Sequence, residues 1–349
     1  MSAYDALLLV SFGGPERPED VAPFLENVTR GRGIPRERLA NVVERYHHLG
    51  GRSPLNEQNR ALVAALRADF AAHGIDLPLF FGNRNWRPFL ADTVAEMREA
   101  GVRRALAFIT SAYSSYSGCR QYLEDLARAR AAVVDAPTIA PLRRFFNHPD
   151  FVDATTDCVR AAWERLRAAL AADAPDAARL VFTAHSVPRA MAEGCAYERE
   201  LRANAALVAE RLGHDRWDLV WQSRSGPPQV PWLEPDVLDH VRTLRAARVP
   251  GVVIAPIGFL SDHVEVLYDL DVEARHLCDD LGIAMVRAAT VGTHPSFVTC
   301  VRELVLERLH GAPPRSVGPL PPSPDVCPPD CCPVPARPAA RPTPPEGAR

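Results

Sequence analysis

The chain has 349 residues, of which 47% are hydrophobic, and its formal net charge is −3. This length and composition allow one large domain or two of moderate size, each with a buried core. Such a weak net charge offers no field that would attract nucleic acid or an anionic membrane surface, so the composition argues against a nucleic-acid partner.

The amino-terminal segment carries no recognisable targeting signal. The stretch MSAYDALLLVSFGGP has no basic leader, and its apolar run at residues 6–10 is far too short for a membrane span of about 20 residues. No later apolar run approaches that length, so we expect a cytoplasmic protein without integral membrane association. Its eight cysteines are then expected to be thiols or metal ligands rather than disulfides.

Short apolar runs alternate along the chain with longer segments that have apolar residues at helical spacing. The runs predict strands at residues 7–10, 77–81, 105–110, 138–142, 180–184, 218–221, 251–256 and 283–287. The longer segments predict helices such as those at residues 59–73, 93–100, 153–172 and 197–212. This alternation predicts parallel sheets covered on both faces, in two similar α/β halves of four strands each.

The predicted halves span residues 1–150 and 151–312, and residues 313–349 form a tail. Fourteen of the 33 prolines lie between Pro313 and Pro345, where they remove backbone donors and block regular structure. Within the tail, Cys327, Cys331 and Cys332 form a C-x₃-C-C pattern of three soft thiolates. A closed metal site requires a fourth ligand from elsewhere in the chain, and cysteines borne by a disordered tail are the alternative.

Several unusual residues lie directly after the predicted strands. Parallel sheets bind ligands at these carboxyl ends of their strands. SFGGP follows the first strand but is not G-x-G-x-x-G, and there is no P-loop, which disfavours a nucleotide site. His185 ends the fifth strand, where a near-neutral pKa suits proton transfer or metal ligation, although a lone strand-end histidine is more often structural.

An acidic row follows the seventh strand in SDHVEVLYDLDVE. Glu265, Asp269 and Glu273 recur every four residues along one face of a predicted helix, where like charges repel one another. Such a row is retained at a cost in stability unless a cation visits it, and a solvated acidic face is the alternative.

The loops of the first half combine aromatic side chains with groups that bind carboxylates. Flat rings beside such donors suit a large planar ligand with acid side chains, although each aromatic taken singly is more often part of a core. The aromatic residues are Phe12, Tyr46, Trp86, Tyr113, Tyr116 and Tyr122, and the donors are Arg30, Arg32, Arg52 and Ser53.

The segments TAHSVP, WQSRSGPPQVPWL, PIGFLSDHVEVLYDLD, YHHLGGRSPL and LLVSFGGP together resemble the ferrochelatases, which insert ferrous iron into a porphyrin. The resemblance covers about residues 3–309, and NRNW, SAYSSYS and WQSRSGPPQVPW are similar to the actinobacterial coproporphyrin III ferrochelatases. It implies two Rossmann-like domains, each with a four-stranded parallel sheet flanked by helices, with the porphyrin between them. It also implies that the last helix packs back on the first domain.

The resemblance implies roles for particular residues. His185 and Glu265 become the catalytic pair and, with Asp269 and Glu273, the metal-binding residues. Phe12 stands where relatives have tyrosine, so no phenolate is available to iron there. The implied substrate-binding residues are Ser53, Tyr122, Arg30, Arg32, Arg52, Phe12, Tyr46 and Trp86.

The resemblance further implies coproporphyrin III and ferrous iron as substrates and coproheme as product. The alternatives are a protoporphyrin IX ferrochelatase, a cobalt or nickel chelatase, and a non-catalytic haem- or metal-binding protein that uses His185 as an axial ligand. A [2Fe–2S] cluster is implied as cofactor, with Cys327, Cys331 and Cys332 as ligands and Cys158 as the predicted fourth; Cys119 is the alternative. A transient iron donor and a downstream haem-pathway enzyme are compatible partners.

Overall fold

The computed structural model describes residues 4–31, 36–170, 177–226 and 229–334, which contain two parallel sheets of four strands each. The first sheet has the order β2-β1-β3-β4, with β1 at Ala6–Ser11, β2 at Leu79–Asn83, β3 at Arg104–Ile109 and β4 at Thr138–Pro141. The second has the order β6-β5-β7-β8, with β5 at Arg179–His185, β6 at Trp217–Gln222, β7 at Gly251–Ala255 and β8 at Ala284–Arg287. The repeated order confirms the predicted fold class.

The strands are apolar on both faces because helices cover each sheet on both sides. In β1, Leu7 and Leu9 face a core cluster that also contains Phe108. Leu8 and Val10, on the opposite face, belong to a separate cluster. This two-residue alternation between two buried environments explains why β1 is a continuous apolar run.

The helices extend some of the predicted segments and add others. Those of the first half are α1 at Val21–Thr29, α2 at Arg36–His48, α3 at Leu55–Ala72, α4 at Leu90–Glu99 and α5 at Gln121–Ala131. Those of the second half are α6 at Pro149–Ala169, α7 at Arg189–Glu193, α8 at Tyr197–Leu212, α9 at Val237–Ala246, α10 at Val264–Val266, α11 at Arg275–Leu281 and α12 at Pro295–His310. None of the helices in the described ranges is long and apolar enough to cross a membrane.

One core cluster runs through both halves. It contains Phe108 of β3 and Phe145 together with Phe182 of β5 and Val253 of β7. The helix α6 packs on β7, β8 and α8, and the last helix, α12, packs on both α6 and α3 of the first half. The two sheets are therefore joined by continuous apolar packing at their shared side.

The described part of the tail, residues 313–334, lies against the body without forming helix or strand. The Val317 amide donates to the Asn147 carbonyl at 2.9 Å, and the Asn147 side chain donates to the Leu320 carbonyl at 2.8 Å. Arg120 donates to the Cys331 carbonyl at 2.7 Å. Because proline has no amide hydrogen, the tail offers mainly carbonyls, and side chains of the body supply the donors.

Candidate active site

His185 is the last residue of β5, beside Gln222 at the end of β6. Its Nδ1 lies 2.5 Å from the Ser186 carbonyl, which can only accept, so Nδ1 carries a proton. The other nitrogen, Nε2, then faces the Glu265 carboxylate, with 3.8 Å between Nε2 and Oε1. The two side chains are 29% and 48% exposed, so both can be reached from solvent.

A glycine brings the segment that carries Glu265 to the end of β5. The Gly258 amide donates to the Thr183 carbonyl at 3.1 Å, and a Cβ at Gly258 would lie 2.5 Å from the Ala184 Cβ. Only glycine allows this crossing of the strand end. Five residues later, His263 caps the helix that carries Glu265, because its Nδ1 accepts the Glu265 amide at 3.2 Å.

His185 and Glu265 stabilise each other's charge. Partial burial acts to lower the pKa of His185, but the charge and hydrogen bond of Glu265 outweigh it and raise this pKa above its usual value. Burial acts to raise the pKa of Glu265, but His185 reverses the shift and lowers this pKa to about 2. Each charge therefore favours the ionised form of the other group.

The acidic row lies on a continuous helix that changes its winding. Residues Leu267–Ala274, between α10 and α11, form a π-helix. Asp269 and Glu273 lie within this π-helix, and Glu265 lies in α10 directly before it. Asp269 is buried, and this burial raises its pKa to about 6 although a hydrogen bond from Ser223 opposes the shift.

Arg45 of α2 crosses from the first half and pairs with the acidic row. Its guanidinium lies 3.0 Å from the Asp269 carboxylate and 3.6 Å from that of Glu273, over the ring of Tyr268. Arg45 is not among the residues predicted from the sequence, although it directly precedes Tyr46, the first residue of the YHHLGGRSPL segment. The row is thus already partly neutralised by a side chain of the protein.

Phe12, Tyr46 and Trp86 of the first half surround Phe24. Phe24 is a buried residue of α1 that was not among the residues predicted from the sequence. Its ring centroid lies 6.3 Å from that of Phe12, 6.1 Å from Tyr46 and 6.0 Å from Trp86. The helical spacing of Val21, Phe24, Leu25 and Val28 is the signal that identifies this face. Phe12 is 37% exposed and presents an open apolar ring.

These four aromatic residues, Phe12, Phe24, Tyr46 and Trp86, form an aromatic wall that lies next to Glu265. Val264, the neighbour of Glu265, packs in the same apolar cluster as Phe24 and Tyr46. Burial raises the pKa of Tyr46, and the charge of Glu265 raises it further. The phenol of Tyr46 is therefore neutral and close to the carboxylate.

The predicted porphyrin-binding donors differ in how accessible they are. Ser53 is buried, and its hydroxyl accepts the Leu55 amide at 3.3 Å. Tyr122 is buried under Arg84, whose guanidinium carbon lies 4.3 Å from the ring centroid. Arg30 and Arg52 are exposed. Arg32 lies outside the described residues.

Two further tyrosines of the predicted wall are occupied elsewhere. Tyr113 is buried, and its hydroxyl lies 3.0 Å from the Ile257 carbonyl and 3.2 Å from the Asn204 side chain. Tyr116 pairs with Glu124 at 3.1 Å. Tyr113 therefore connects the two halves, and Tyr116 contacts α5, instead of joining the aromatic residues around Phe24.

Four thiols come together where the tail meets the body. Hydrogen bonds from Cys327 and Cys332 stabilise the thiolate of Cys119 and lower its pKa strongly, with further help from Arg144 and Arg120. The sulfurs of Cys331 and Cys332 lie 3.6 Å apart. We call Cys119, Cys327, Cys331 and Cys332 the thiol group.

Cys158, the predicted fourth cysteine, does not belong to the thiol group, whereas Cys119, the alternative named from the sequence, does. The Cys158 sulfur lies 3.9 Å from the Thr290 carbonyl, and burial raises its pKa to about 11. The sequence places Cys158 early in a predicted helix, but it does not show that the loop after β3 turns toward the tail.

Across the described ranges, no three His, Cys, Asp or Glu side chains converge on the position of one metal ion. The thiol group offers the four thiolates that a binuclear cluster requires, two for each iron. Arg144 and Arg120, near Cys119, would compensate part of the negative charge of such a cluster.

Comparison with known proteins identifies the family. A family model described as ferrochelatase matches residues 4–309. The chain belongs to the ferrochelatase family. A ferrochelatase of Rhodopirellula baltica is 53% identical, over 94% of this chain and 93% of the relative. A coproporphyrin III ferrochelatase of Streptomyces coelicolor is also 53% identical, over 97% and 96%.

Among solved structures, Bacillus subtilis SirB with Fe3+ superimposes with a TM-score of 0.55 at 12% sequence identity, covering 88% of this chain and 96% of SirB. At this identity the similarity concerns the fold alone. It agrees with the two four-stranded parallel sheets described above.

Proposed function

We propose that this protein inserts ferrous iron into coproporphyrin III and so forms coproheme in haem biosynthesis. The observation that carries the proposal is the pairing of His185 Nε2 with the Glu265 carboxylate at 3.8 Å, beside an aromatic wall from the other half. Membership of the ferrochelatase family supports the chemistry. The name of the Streptomyces coelicolor relative supports coproporphyrin III as the porphyrin.

Iron insertion requires two pyrrole protons to leave as the metal enters. Neutral His185 has a free lone pair on Nε2, because Nδ1 is engaged with Ser186, and it accepts a pyrrole proton there. Glu265 remains ionised and stabilises the imidazolium that forms. Asp269, with a pKa of about 6, is better matched than Glu265 to take the proton next. Release of that proton to solvent leaves His185 neutral again, so that it accepts the second pyrrole proton. Ferrous iron is the second substrate, and the oxygens of Glu265, Asp269 and Glu273 lead it toward His185.

The aromatic wall is the proposed binding surface for the porphyrin macrocycle. Phe12, Tyr46 and Trp86 surround Phe24 and suit the apolar faces of a flat ring. Four propionates need more polar anchors than two, and the proposed anchors are Ser53, Tyr122, Arg30, Arg32 and Arg52. Kinetics with both porphyrins test this choice, and a higher kcat/KM for protoporphyrin IX than for coproporphyrin III would overturn it.

The variant His185→Ala tests the reaction itself. Loss of the proton acceptor lowers kcat by about 100-fold or more, the usual contribution of a general base. The measurement is the Soret-band change of coproporphyrin III with ferrous iron under anaerobic conditions. Near-normal turnover of the variant would refute a direct role of His185. Binding of both substrates by the unmodified protein, without turnover, would identify a non-catalytic haem- or metal-binding protein.

We propose that the thiol group binds a [2Fe–2S] cluster. Cys119, Cys327, Cys331 and Cys332 would hold it, and the cluster would supply a redox-active, structure-stabilising centre. Anaerobically purified protein is expected to contain acid-labile sulfide and visible charge-transfer absorption. Cys119→Ser should remove both, whereas Cys158→Ser should retain them. Retention of the cluster in Cys119→Ser and its loss in Cys158→Ser would contradict this assignment.

We propose lobes at residues 1–150 and 151–312 with a tail at 313–349, supported by the two sheets and by the absence of helix and strand from the described tail. A cytoplasmic location is supported by the eight free cysteines. A transient iron donor and a downstream haem-pathway enzyme are the proposed partners, since both iron and haem are reactive.

A further inference from the structure

Glu200 of α8 is a buried carboxylate that the proposed reaction does not use. Glu200 is only 5% exposed. Its two oxygens accept the Ser114 amide at 2.6 Å and the Ser114 hydroxyl at 2.8 Å. Burying a carboxylate is costly unless its hydrogen bonds are satisfied, so these two contacts anchor Ser114 firmly to α8.

Ser114 begins the turn that carries Cys119 of the thiol group. The Ser115 hydroxyl accepts the Gly118 amide at 2.8 Å and so starts the short helix Tyr116–Arg120. Arg144 donates to the Gly118 carbonyl at 3.2 Å from the other side. The position of Cys119 is therefore set by a short, hydrogen-bonded turn whose first residue is bound to Glu200.

Tyr197 lies one helical turn before Glu200 and contacts the end of the strand that carries His185. Its hydroxyl donates to the His185 carbonyl at 3.0 Å. Its ring lies between Trp221 and Tyr113, at centroid distances of 5.9 and 6.5 Å. Residues three apart share a helix face, so the first turn of α8 touches both the His185 strand end and the turn that carries Cys119.

We propose that Tyr197 and Glu200 are positioning residues that link the thiol group to His185, so that the state of the four thiols tunes the alignment of the imidazole. The proposal rests on the proposed roles of His185 and the thiol group.

Three variants of α8 test the connection. Tyr197→Phe removes one hydroxyl, Glu200→Gln keeps the shape but removes the charge, and Glu198→Gln is the control because Glu198 pairs with Arg202 at the surface. We expect Tyr197→Phe to lower kcat about fivefold with little change in KM, the size of one net hydrogen bond. Glu200→Gln should lower kcat about threefold, and Glu198→Gln should not change it. Wild-type rates for both Tyr197→Phe and Glu200→Gln would overturn the proposal.

A double-variant comparison separates coupling from simple damage. Cys119→Ser should lower kcat in the unmodified protein but have no further effect in the Glu200→Gln background, because the connection is already broken. Fully additive losses would refute the coupling. Thermal unfolding and porphyrin affinity of each variant identify any loss that is due to misfolding.

A second readout does not depend on turnover. Nuclear magnetic resonance of labelled histidine in porphyrin-free protein reports the surroundings of the His185 ring through its chemical shifts. We expect Cys119→Ser to change these chemical shifts and Tyr197→Phe to abolish the change. Identical His185 chemical shifts in the unmodified protein and in Cys119→Ser would overturn the proposal. Absence of iron insertion by the unmodified protein would instead refute the proposed function and leave this measurement interpretable.

Discussion

A backbone carbonyl determines that Nδ1 of His185 carries a proton, and a neighbouring carboxylate determines how basic Nε2 is. Ser186 fixes the tautomer, and Glu265 raises the pKa of the imidazole against the opposing effect of burial. A histidine with a raised pKa is a stronger base once neutral, but a smaller fraction of it is neutral at low pH. The pH dependence of turnover should therefore report the influence of Glu265.

Glu265→Gln is expected to shift the acidic limb of the kcat profile to lower pH. His185 must be neutral to accept a proton, and loss of the carboxylate lowers its pKa, so the neutral form persists at more acidic pH. The measurement is kcat for iron insertion between pH 5 and 9. Asp279→Asn, at an exposed position of α11, is the matched control. An unchanged limb, or a shift to higher pH, would contradict the assigned pairing.

Two elements from different halves determine the charge of the acidic row. The π-helix at Leu267–Ala274 carries Asp269 and Glu273, and α2 of the first half supplies Arg45, which pairs with both carboxylates. A guanidinium and a metal ion compete for the same oxygens. If the row binds iron as proposed, Arg45 would limit how much further positive charge it accepts.

Arg45→Gln should tighten binding of a divalent cation to the porphyrin-free protein. Removal of the fixed positive charge from Asp269 and Glu273 is expected to increase Co2+ affinity roughly fivefold, equivalent to about 1 kcal/mol for a partly exposed pair. Isothermal titration calorimetry measures the change. Arg60→Gln, which breaks an exposed pair with Glu16, is the control. Weaker Co2+ binding in Arg45→Gln would show that Arg45 instead helps to shape the site.

At the scale of the whole molecule, one buried ion pair joins the connector between the halves to the last helix. Arg143 follows β4, and its guanidinium contacts both oxygens of Glu307 in α12, at 2.7 and 2.8 Å. The two side chains are 1% and 7% exposed. The Arg315 amide donates to the same carboxylate at 2.8 Å, which brings the start of the tail to this junction.

Arg143→Met should destabilise the protein by about 3–5 kcal/mol, because it leaves the Glu307 carboxylate buried without its cation. Urea unfolding followed by circular dichroism measures the loss. The double variant Arg143→Met with Glu307→Leu should regain much of the stability, since no uncompensated charge is left. A loss below about 1 kcal/mol in the single variant would show that the carboxylate reaches water.

The sequence by itself determined the fold class and the order of the strands along the chain. These follow from local pattern: buried strands are apolar runs, amphipathic helices have apolar residues at helical spacing, and parallel sheets gather their functional side chains after the strands. The strand predictions at residues 105–110 and 251–256 differ from β3 and β7 only at their ends. The family resemblance supplied the roles that are proposed for His185 and Glu265.

Only the tertiary structure decided which distant residues meet. Cys119 rather than Cys158 joins the tail cysteines, Arg45 reaches Asp269, and Phe24 stands at the centre of the aromatic wall. Each contact joins residues from separate elements, and its geometry depends on how loops and helices pack, which no local spacing records. Local periodicity encodes elements, whereas the site depends on the relative placement of those elements.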